Sequence, residues 1–527
     1  MKKNISTSSL IFYTSLFLLI SANNLFFQKI WNLYPWSWSL VSISLVFLSC
    51  IYLMLTTLCF HRLTKPVLIL VIGLSSLASY VMNTYGTVID EVMILNILHT
   101  DAKEAQDLFN LKSIFTFLFF GLAPAILIAK IPVNYLSFKH EILSKFKNIG
   151  ISLVIILGLG LISGKFYASF LREQKPLRYY TNPTYFLYSA GKYANNFIKN
   201  KTSRFQTLGL DAKIPSSDKD RELIIFVLGE TARADHFSLN GYKHETNPLL
   251  KKENVISFPH MTSCGTSTAI SVPCMFSNLT QKEYSSEKFK STENLLDVLI
   301  HTKKVNVLWR DNNSSPKGVT ARMTFENFQT SALNTICDDE CRDEGMLVGL
   351  QNYINKTPRG NIFIVLHQMG NHGPAYYKRY PKAFEKFNPI CRSNELNKCS
   401  NEEIQNTYDN AILYTDYFLA KSIELLKKNS HQFETALFYV SDHGESLGEK
   451  GLYLHGLPYF LAPPEQTQVA SLLWLGPSLQ KEINMLELTK KAKTPLSHDY
   501  IFHTVLGLME IETNIYNKHL DILTHLH

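Results

Sequence analysis

At 527 residues the chain exceeds one ordinary domain, so two units are the starting expectation. It is 46% hydrophobic and only 18% charged, against about 25% charged for an average soluble protein, a deficit that points to a membrane-embedded part. The net charge of +8 is modest for this length. With lysines gathered in loops and one interfacial stretch it suits anionic lipid, and no nucleic-acid-binding signature, repeat or low-complexity tract accompanies it.

The apolar surplus lies in the first third. Five spanning segments are predicted, at 10–29, 38–60, 66–83, 114–130 and 149–170, each near or above the ~17 residues that a ~30 Å hydrocarbon core demands. The first run continues past a signal-peptidase site and lacks an A-x-A pattern, so it reads as a retained anchor. Lys2, Lys3, Arg62, Lys65, Lys130, Lys139, Lys145 and Lys147 fall in alternate loops. The loop between the third and fourth spans is acidic instead, with Asp90, Glu91, Asp101, Glu104 and Asp107. Basic loops stay in the cytoplasm, which places the N-terminus inside and everything after Phe170 outside.

After the last span comes "LREQKPLRYYTNPTYFLYSAGKYANNFIKNKTSRF", where tyrosines and phenylalanines alternate with Arg and Lys. That composition suits the headgroup layer, with a basic surface helix as the plainer alternative. From Arg221 onward, "ELIIFVLGE", "VNVLW", "NIFIVLHQM", "TALFYVSDHGE" and "ASLLWLG" read as buried strands between helical stretches. Strand–helix alternation predicts a mostly parallel sheet with helices on both faces, whose ligands bind at the carboxyl ends of the strands. Six of the eight cysteines fall in this exported part, at 264/274, 337/341 and 391/399. They formally allow about fifteen connectivities. Pairing of sequence neighbours as disulfides is the simplest, and no C-x-x-C spacing supports a zinc–thiolate cluster.

The strand ends carry the chemistry. Glu230 closes the first strand, His367 and His372 follow the third, and Asp442 and His443 follow the fourth, with His455 a short loop beyond. Each alone is weak, and a lone His is usually just hydrogen-bonded. Together they make an oxygen/nitrogen set of the kind that holds zinc in an open-sided site. "MTSCGTSTAISVPCMFS" crowds Thr266, Ser267, Thr268 and Ser271 between two cysteines. These alcohols fill a polar loop, or one of them is a metal-activated nucleophile.

"VLGETARADHFSLNGY", "SCGTSTAISVPCMF", "HQMGNHGP" and "SDHGESLGEKGLYLHG" together resemble the membrane-bound phosphoethanolamine transferases, a group that includes the lipid A-modifying enzymes of polymyxin resistance. The resemblance covers nearly the whole chain. It implies a five-helix transmembrane domain at 1–171, a connector at 172–215 and a periplasmic α/β domain of alkaline-phosphatase (sulfatase) type at 216–527. It further implies Thr268 as nucleophile, with Glu230, Thr268, Asp442 and His443 as ligands of a catalytic zinc. His372 and His455 then bind substrate phosphate or a second zinc, and Asn313 and Lys317 in "RDNNSSPKGV" hold the phosphoryl group. Asn96, Thr100 and Glu104, spaced i, i+4, i+8, line one face of an exterior helix. On spacing alone a solvated face is the simpler reading, whereas the resemblance places them near a lipid-headgroup pocket. Some relatives carry a cysteine pair where this chain has Pro316 and Thr320, so that loop is expected to be less constrained.

The resulting expectation is a monomeric inner-membrane enzyme. It would move phosphoethanolamine from phosphatidylethanolamine to lipid A phosphate through a phosphoethanolamine–threonine intermediate, releasing diacylglycerol. A core sugar, a surface protein or water are the alternative acceptors, the last making it a sulfatase- or phosphatase-type hydrolase. A transporter is disfavoured, since no ionisable residue sits centrally in the spans.

Overall fold

In the computed structural model, which describes residues 4–35, 37–99, 105, 108, 110–199 and 205–523, the chain divides into two units. Met1–Ile94 with Phe109–Asn195 form the first, and Leu95–Leu108 with Asn196–His527 the second.

The first unit is helical. α1 (Thr7–Ser21) and α2 (Asn24–Leu33) meet at a 63° bend. α3 (Trp38–Leu58), α4 (Thr64–Tyr85) and α5 (Phe138–Ile162) follow. Among the described residues, Trp38–Leu58, His61–Tyr85, Leu111–Lys130 and Phe138–Ile162 are long and apolar enough to cross a membrane. The bent pair makes a fifth crossing if it counts as one span. The bend has a polar cause. Buried Asn23 donates to the Leu18 carbonyl at 2.9 Å and the Asn182 carbonyl at 2.6 Å, and its Oδ1 accepts the Asn182 N–H at 2.8 Å. Within Leu111–Lys130 the turn Leu118–Leu122 is a π-helix. A Cβ at Gly121 in that turn would lie 2.6 Å from Ser76 Oγ, so glycine permits the close approach to α4.

The expected fifth span at 149–170 is corrected. Its helix begins at Phe138, and Ser163 breaks it before a separate helix, Gly164–Glu173. Lys139, Lys145 and Lys147 therefore lie inside α5. Lys145 is accommodated because its ammonium donates to the Thr56 carbonyl at 2.8 Å and to the Cys59 carbonyl at the end of α3. The aromatic connector continues as the 3-10 turn Lys175–Tyr180 and α6 (Thr184–Lys199).

The second unit is built on a seven-stranded sheet. Its strands are β1 (Glu222–Gly229), β2 (Ile256–Ser257), β3 (Val305–Asp311), β4 (Glu326–Asn327), β5 (Asn361–His367), β6 (Glu434–Ser441) and β7 (Ser471–Leu475). The spatial order is β2-β7-β6-β1-β5-β3-β4. β6, β1, β5, β3 and β4 are parallel, and β7 runs antiparallel to both its neighbours. Every residue of β1, β5 and β6 is buried, which is why these strands read as unbroken apolar runs rather than alternating ones. Phe226 sits at the centre, edge-on to Phe276 and to Phe438 at 5.6 Å each. Side chains of this kind contribute about 1.5–3 kcal/mol apiece by leaving water. α7 (Thr268–Met275) and α8 (Asn401–Asn429) flank the sheet, α8 opening with a Ser400–Glu403 capping box. The disulfides are Cys264–Cys274, Cys337–Cys341 and Cys391–Cys399. Cys50 and Cys59 are free thiols.

Candidate active site

Parallel strands end on one edge, and register decides which residues meet there. Gly229 pairs with Ser441 and Leu228 with His367. Glu230 and Asp442, the next residue of each strand, are therefore neighbours. The turn beyond Glu230 passes through Thr231 at φ +59°, a conformation that costs a β-branched residue on the order of 1–3 kcal/mol. It is held there from three directions. Tyr408 Oη donates to its carbonyl at 2.6 Å, its N–H donates to Asp442 Oδ1 at 3.1 Å, and its hydroxyl donates to Glu230 Oε1 at 2.5 Å. Gly370 closes the other side, since a Cβ there would stand 2.8 Å from the Glu230 carbonyl oxygen.

The four alcohols between the cysteines separate by partner. Thr266 donates to the Leu457 carbonyl at 2.6 Å, and Ser271 accepts the Gly265 N–H at 2.9 Å. Ser267 Oγ is buried with no partner. Thr268, the first residue of α7, faces the strand ends. Its hydroxyl lies 3.1 Å from Glu230 Oε2 and 3.3 Å from His443 Nε2. His443 Nε2 is in turn 3.4 Å from Glu230 Oε1 and 3.4 Å from Asp442 Oδ2.

This cluster fits a divalent cation. His443 Nδ1 lies 2.9 Å from the Gly444 carbonyl. Donation to that oxygen assigns the Nδ1–H tautomer and leaves a lone pair on Nε2, aimed at the carboxylates. Asp442 Oδ2 is buried without a hydrogen-bond partner, an arrangement that costs several kcal/mol unless a cation or proton meets it. Burial opposes the charge on Glu230, but the imidazoles of His443, His372 and His455 outweigh it and leave the carboxyl at about 2. Burial, then the Glu230 charge, pushes Asp442 well above the carboxylate range. Burial, then His455, keeps His443 neutral down to about 3. Two carboxyl groups, one neutral imidazole and one alcohol thus converge on a single point.

Further polar side chains pack around it. His455 Nδ1 is 2.7 Å from Glu445 Oε2, and Tyr376 Oη donates to Glu445 Oε1 at 2.6 Å. The His455 ring is 4.2 Å from that of His443 and 5.8 Å from that of His372. His443, Glu445 and His455 could themselves hold an ion. Asn313 is committed to this cluster, its amide donating to Glu230 Oε2 at 2.8 Å and to the Gln368 carbonyl at 2.9 Å. Lys317, at φ +49°, donates to Ser314 Oγ at 2.5 Å. Its side chain borders a cavity of about 170 Å³ with Ala269, Pro273 and Arg322. Asn96 lies on the helix Glu91–His99, and Thr100 and Glu104 lie outside the described residues.

One expectation is corrected. His367, read as a strand-end ligand, joins neither group of side chains that could hold an ion at this edge, and its Nδ1 lies 2.9 Å from Asp311 Oδ2. Three residues carried no sequence signal strong enough to find them. Glu445 sits inside a quoted motif but has no distinctive spacing. Asp343 is buried and accepts the backbone N–H groups of Met369 at 2.8 Å and Gly370 at 3.0 Å, fixing the loop against Glu230. His498 is buried between the loop before Thr268 and the end of β6, accepting the Cys264 N–H at 3.1 Å on Nδ1 and donating to the Ser441 carbonyl at 3.0 Å.

His498 acts as an acceptor only while neutral. Burial lowers its pKa to about 3 from an ordinary 6.5. A depressed pKa contributes stability above about 6.5 that is lost as the pH falls toward about 3. The stability advantage of the wild type over His498→Gln is therefore expected to shrink by roughly 1.4 kcal/mol per pH unit below 6.5. Paired denaturation curves at pH 7 and pH 5 measure it, and a constant advantage would show that the ring protonates freely in the fold.

Comparison with known proteins follows the same division. The N-terminal profile described as "Phosphoethanolamine transferase EptA/EptB" matches residues 46–197, and the sulfatase profile matches 222–511. The chain is 43% identical to phosphatidylethanolamine transferase Mcr-2 of Escherichia coli, over 94% of each chain. It is 41% identical to phosphatidylethanolamine transferase Mcr-1 of Escherichia coli, over 97% of this chain and 96% of that one. Among solved structures it superposes on the integral membrane lipooligosaccharide phosphoethanolamine transferase A of Neisseria meningitidis with a TM-score of 0.93. That match covers 99% of both chains at 32% identity.

Proposed function

The chain belongs to the phosphoethanolamine transferase family and is a membrane enzyme of that activity, and on that footing we propose that it carries phosphoethanolamine from phosphatidylethanolamine to a phosphate of lipid A by way of Thr268. The observation that supports this reading best is the convergence of the Thr268 hydroxyl, Glu230, Asp442 and His443 at separations of 3.1–3.4 Å. Ligands about 2.0–2.1 Å from a tetrahedral zinc stand roughly 3.3 Å from one another. Zinc bound there would favour the threonine alkoxide and screen charge on the phosphoryl oxygens.

The remaining work falls to the chain. The Thr268 hydroxyl, hydrogen-bonded to Glu230 Oε2 at 3.1 Å, gives up its proton, which ends on the departing glyceryl oxygen. Its oxygen forms a bond to phosphorus as the phosphorus–glyceryl oxygen bond breaks, and diacylglycerol leaves with a proton. A protonated acceptor phosphate oxygen then forms its bond to the same phosphorus and gives its proton to the Thr268 oxygen as the ester breaks, restoring the hydroxyl. Two displacements at one centre predict ping-pong kinetics. The unpartnered Ser267 hydroxyl, next to Thr268 at the start of α7, and the first amides of that helix would be available to the phosphoryl oxygens. Lys317, turning from Ser314, adds a point charge, Asn313 holds Glu230 in place, and His372 and His455 bind substrate phosphate. In this reading Asn96, Thr100 and Glu104 meet the donor headgroup. Catalysis takes place on the periplasmic side of the inner membrane, and the product resists polymyxin by losing negative charge.

The name of the Neisseria relative, a lipooligosaccharide transferase, supports the acceptor. The test is a mass spectrum of lipid A from a Gram-negative host making this chain. A phosphoethanolamine increment is expected. A host with abundant membrane-inserted protein and unmodified lipid A would overturn the acceptor, and phosphate release to water would favour a hydrolase.

A further inference from the structure

A cavity of about 520 Å³ opens in the helical unit, between α2, α3, α5, the helix Gly164–Glu173 and the turn Lys175–Tyr180. Its walls are apolar. Phe47 of α3 and Phe26 of α2 meet edge-on at 5.0 Å on one side, and Leu157 and Leu161 of α5 stand on the other. These two leucines are 64% and 84% exposed, so the protein itself does not cover them. Gly160 lies beside them in the same wall, and a Cβ built there would meet nothing within 4 Å. A small residue in a spanning helix ordinarily admits a neighbouring helix. At Gly160 no other part of the described chain takes the space. Ile43 and Cys50 both line the cavity, so it runs about 10 Å along α3, most of the depth of one leaflet of a ~30 Å hydrocarbon core.

The charged residues of the lining are both basic. Lys175 and Arg178, each exposed, border the cavity just after the last span. Neither has a carboxylate partner among the described residues, and Glu173, the acid beside them in sequence, meets Arg172 at 3.2 Å. Arg178 donates to Tyr179 Oη at 2.7 Å and lies over that ring at 4.8 Å, which holds the guanidinium in place and leaves its other N–H groups open. The wall nearby is pinned as well, since Tyr167 Oη and Ser42 Oγ share a hydrogen bond of 2.7 Å between the helix Gly164–Glu173 and α3.

We propose that this cavity holds one anionic phospholipid of the phosphatidylglycerol class, an acyl chain lying along Gly160 and the phosphate meeting Lys175 and Arg178. An apolar body with two unpaired cations at its rim matches a phosphodiester carried on hydrocarbon. A zwitterionic lipid would bring an ammonium group that no carboxylate of the lining receives, so the site does not suit the phosphatidylethanolamine donor. The bound lipid would join α3 and α5 to the turn by which the chain leaves the membrane. Its binding does not depend on the transfer chemistry.

The test uses the zinc-loaded full-length protein, stripped of lipid in detergent and offered equal amounts of phosphatidylglycerol and phosphatidylethanolamine. Native mass spectrometry is expected to find one phosphatidylglycerol held per chain, preferred about fivefold or more. Phosphatidylglycerol is also expected to raise the Tm by about 3 °C or more. Lys175→Gln/Arg178→Gln is expected to lose the preference between the two lipids. Gly160→Leu, whose side chain fills the open space, is expected to lower phosphatidylglycerol occupancy about tenfold while its lipid-free Tm stays at or above that of the wild type. Should the leucine variant not fold, the exposed Lys175/Arg178 pair still decides the headgroup. Equal or greater occupancy by phosphatidylethanolamine would overturn the proposal in favour of a resting place for the donor. Phosphatidylglycerol binding unchanged by both sets of substitutions would overturn it in favour of lipid gathered without a site.

Discussion

Thr268→Ala is expected to lower transfer by on the order of 10⁴-fold or more, while Thr268→Ser stays within about tenfold of the wild type. The alanine methyl cannot bond to phosphorus, so the two-displacement route is closed. Glu230, Asp442 and His443 keep their mutual geometry, because their contacts to Thr231, Gly444 and each other do not pass through residue 268. Folding should be intact: Thr268 begins α7, and the Cys264–Cys274 disulfide and the Ser271–Gly265 bond still hold the loop. The serine variant keeps the alcohol but loses the β-branch that restricts χ1, a modest entropic loss. Two readouts separate nucleophile from scaffold. With donor lipid and no acceptor, the wild type should carry phosphoethanolamine on the peptide containing Thr268, and the alanine variant should not. The Tm of the two should agree within a few degrees. Wild-type transfer by Thr268→Ala would defeat the assignment.

Much of this was legible before any coordinates, and the reasons are physical. Strands buried on both faces must be apolar throughout, so "ELIIFVLGE", "NIFIVLHQM" and "TALFYVSDHGE" stood out, and parallel pairing put their polar ends on one edge. The cysteine pairs are local in sequence and joined as the simplest pairing suggested. What escaped depends on long-range contact. The α1–α2 bend rests on Asn23 meeting Asn182, a polar pair with no periodicity to reveal it. The start of α5 was hidden because Lys145 looks like a loop residue until carbonyls of Thr56 and Cys59 receive it. His367 and His372 are equivalent by position near a strand end, and only the place of Asp311 on the neighbouring strand separates them.

Stripping divalent metal from the purified protein is expected to reduce transfer on the order of 10³-fold or more, with zinc restoring it, since metal stabilisation of a phosphoryl transition state is worth several kcal/mol at ~1.4 kcal/mol per decade. The residues alone cannot replace that contribution. With nothing between them, Glu230 and Asp442 present two buried acidic groups to an anionic phosphoryl centre, and Asp442 Oδ2 has no donor. Repulsion then opposes substrate as well as stability, so the stripped protein should also melt several degrees lower. Glu230→Ala tests the same point from the protein side. It removes one carboxylate and leaves the Thr231 hydroxyl and one Asn313 amide bond without their acceptor. Zinc should fail to restore this variant, and its metal content should fall below that of the wild type. Asp343→Asn, which loosens the Gly370 loop behind Glu230 but touches no ligand, should retain metal and lose only part of the rate. Full activity in protein shown by elemental analysis to be free of zinc would sink the metal's role. Restoration of Glu230→Ala by zinc would instead remove Glu230 from the ligand set and leave the metal in place.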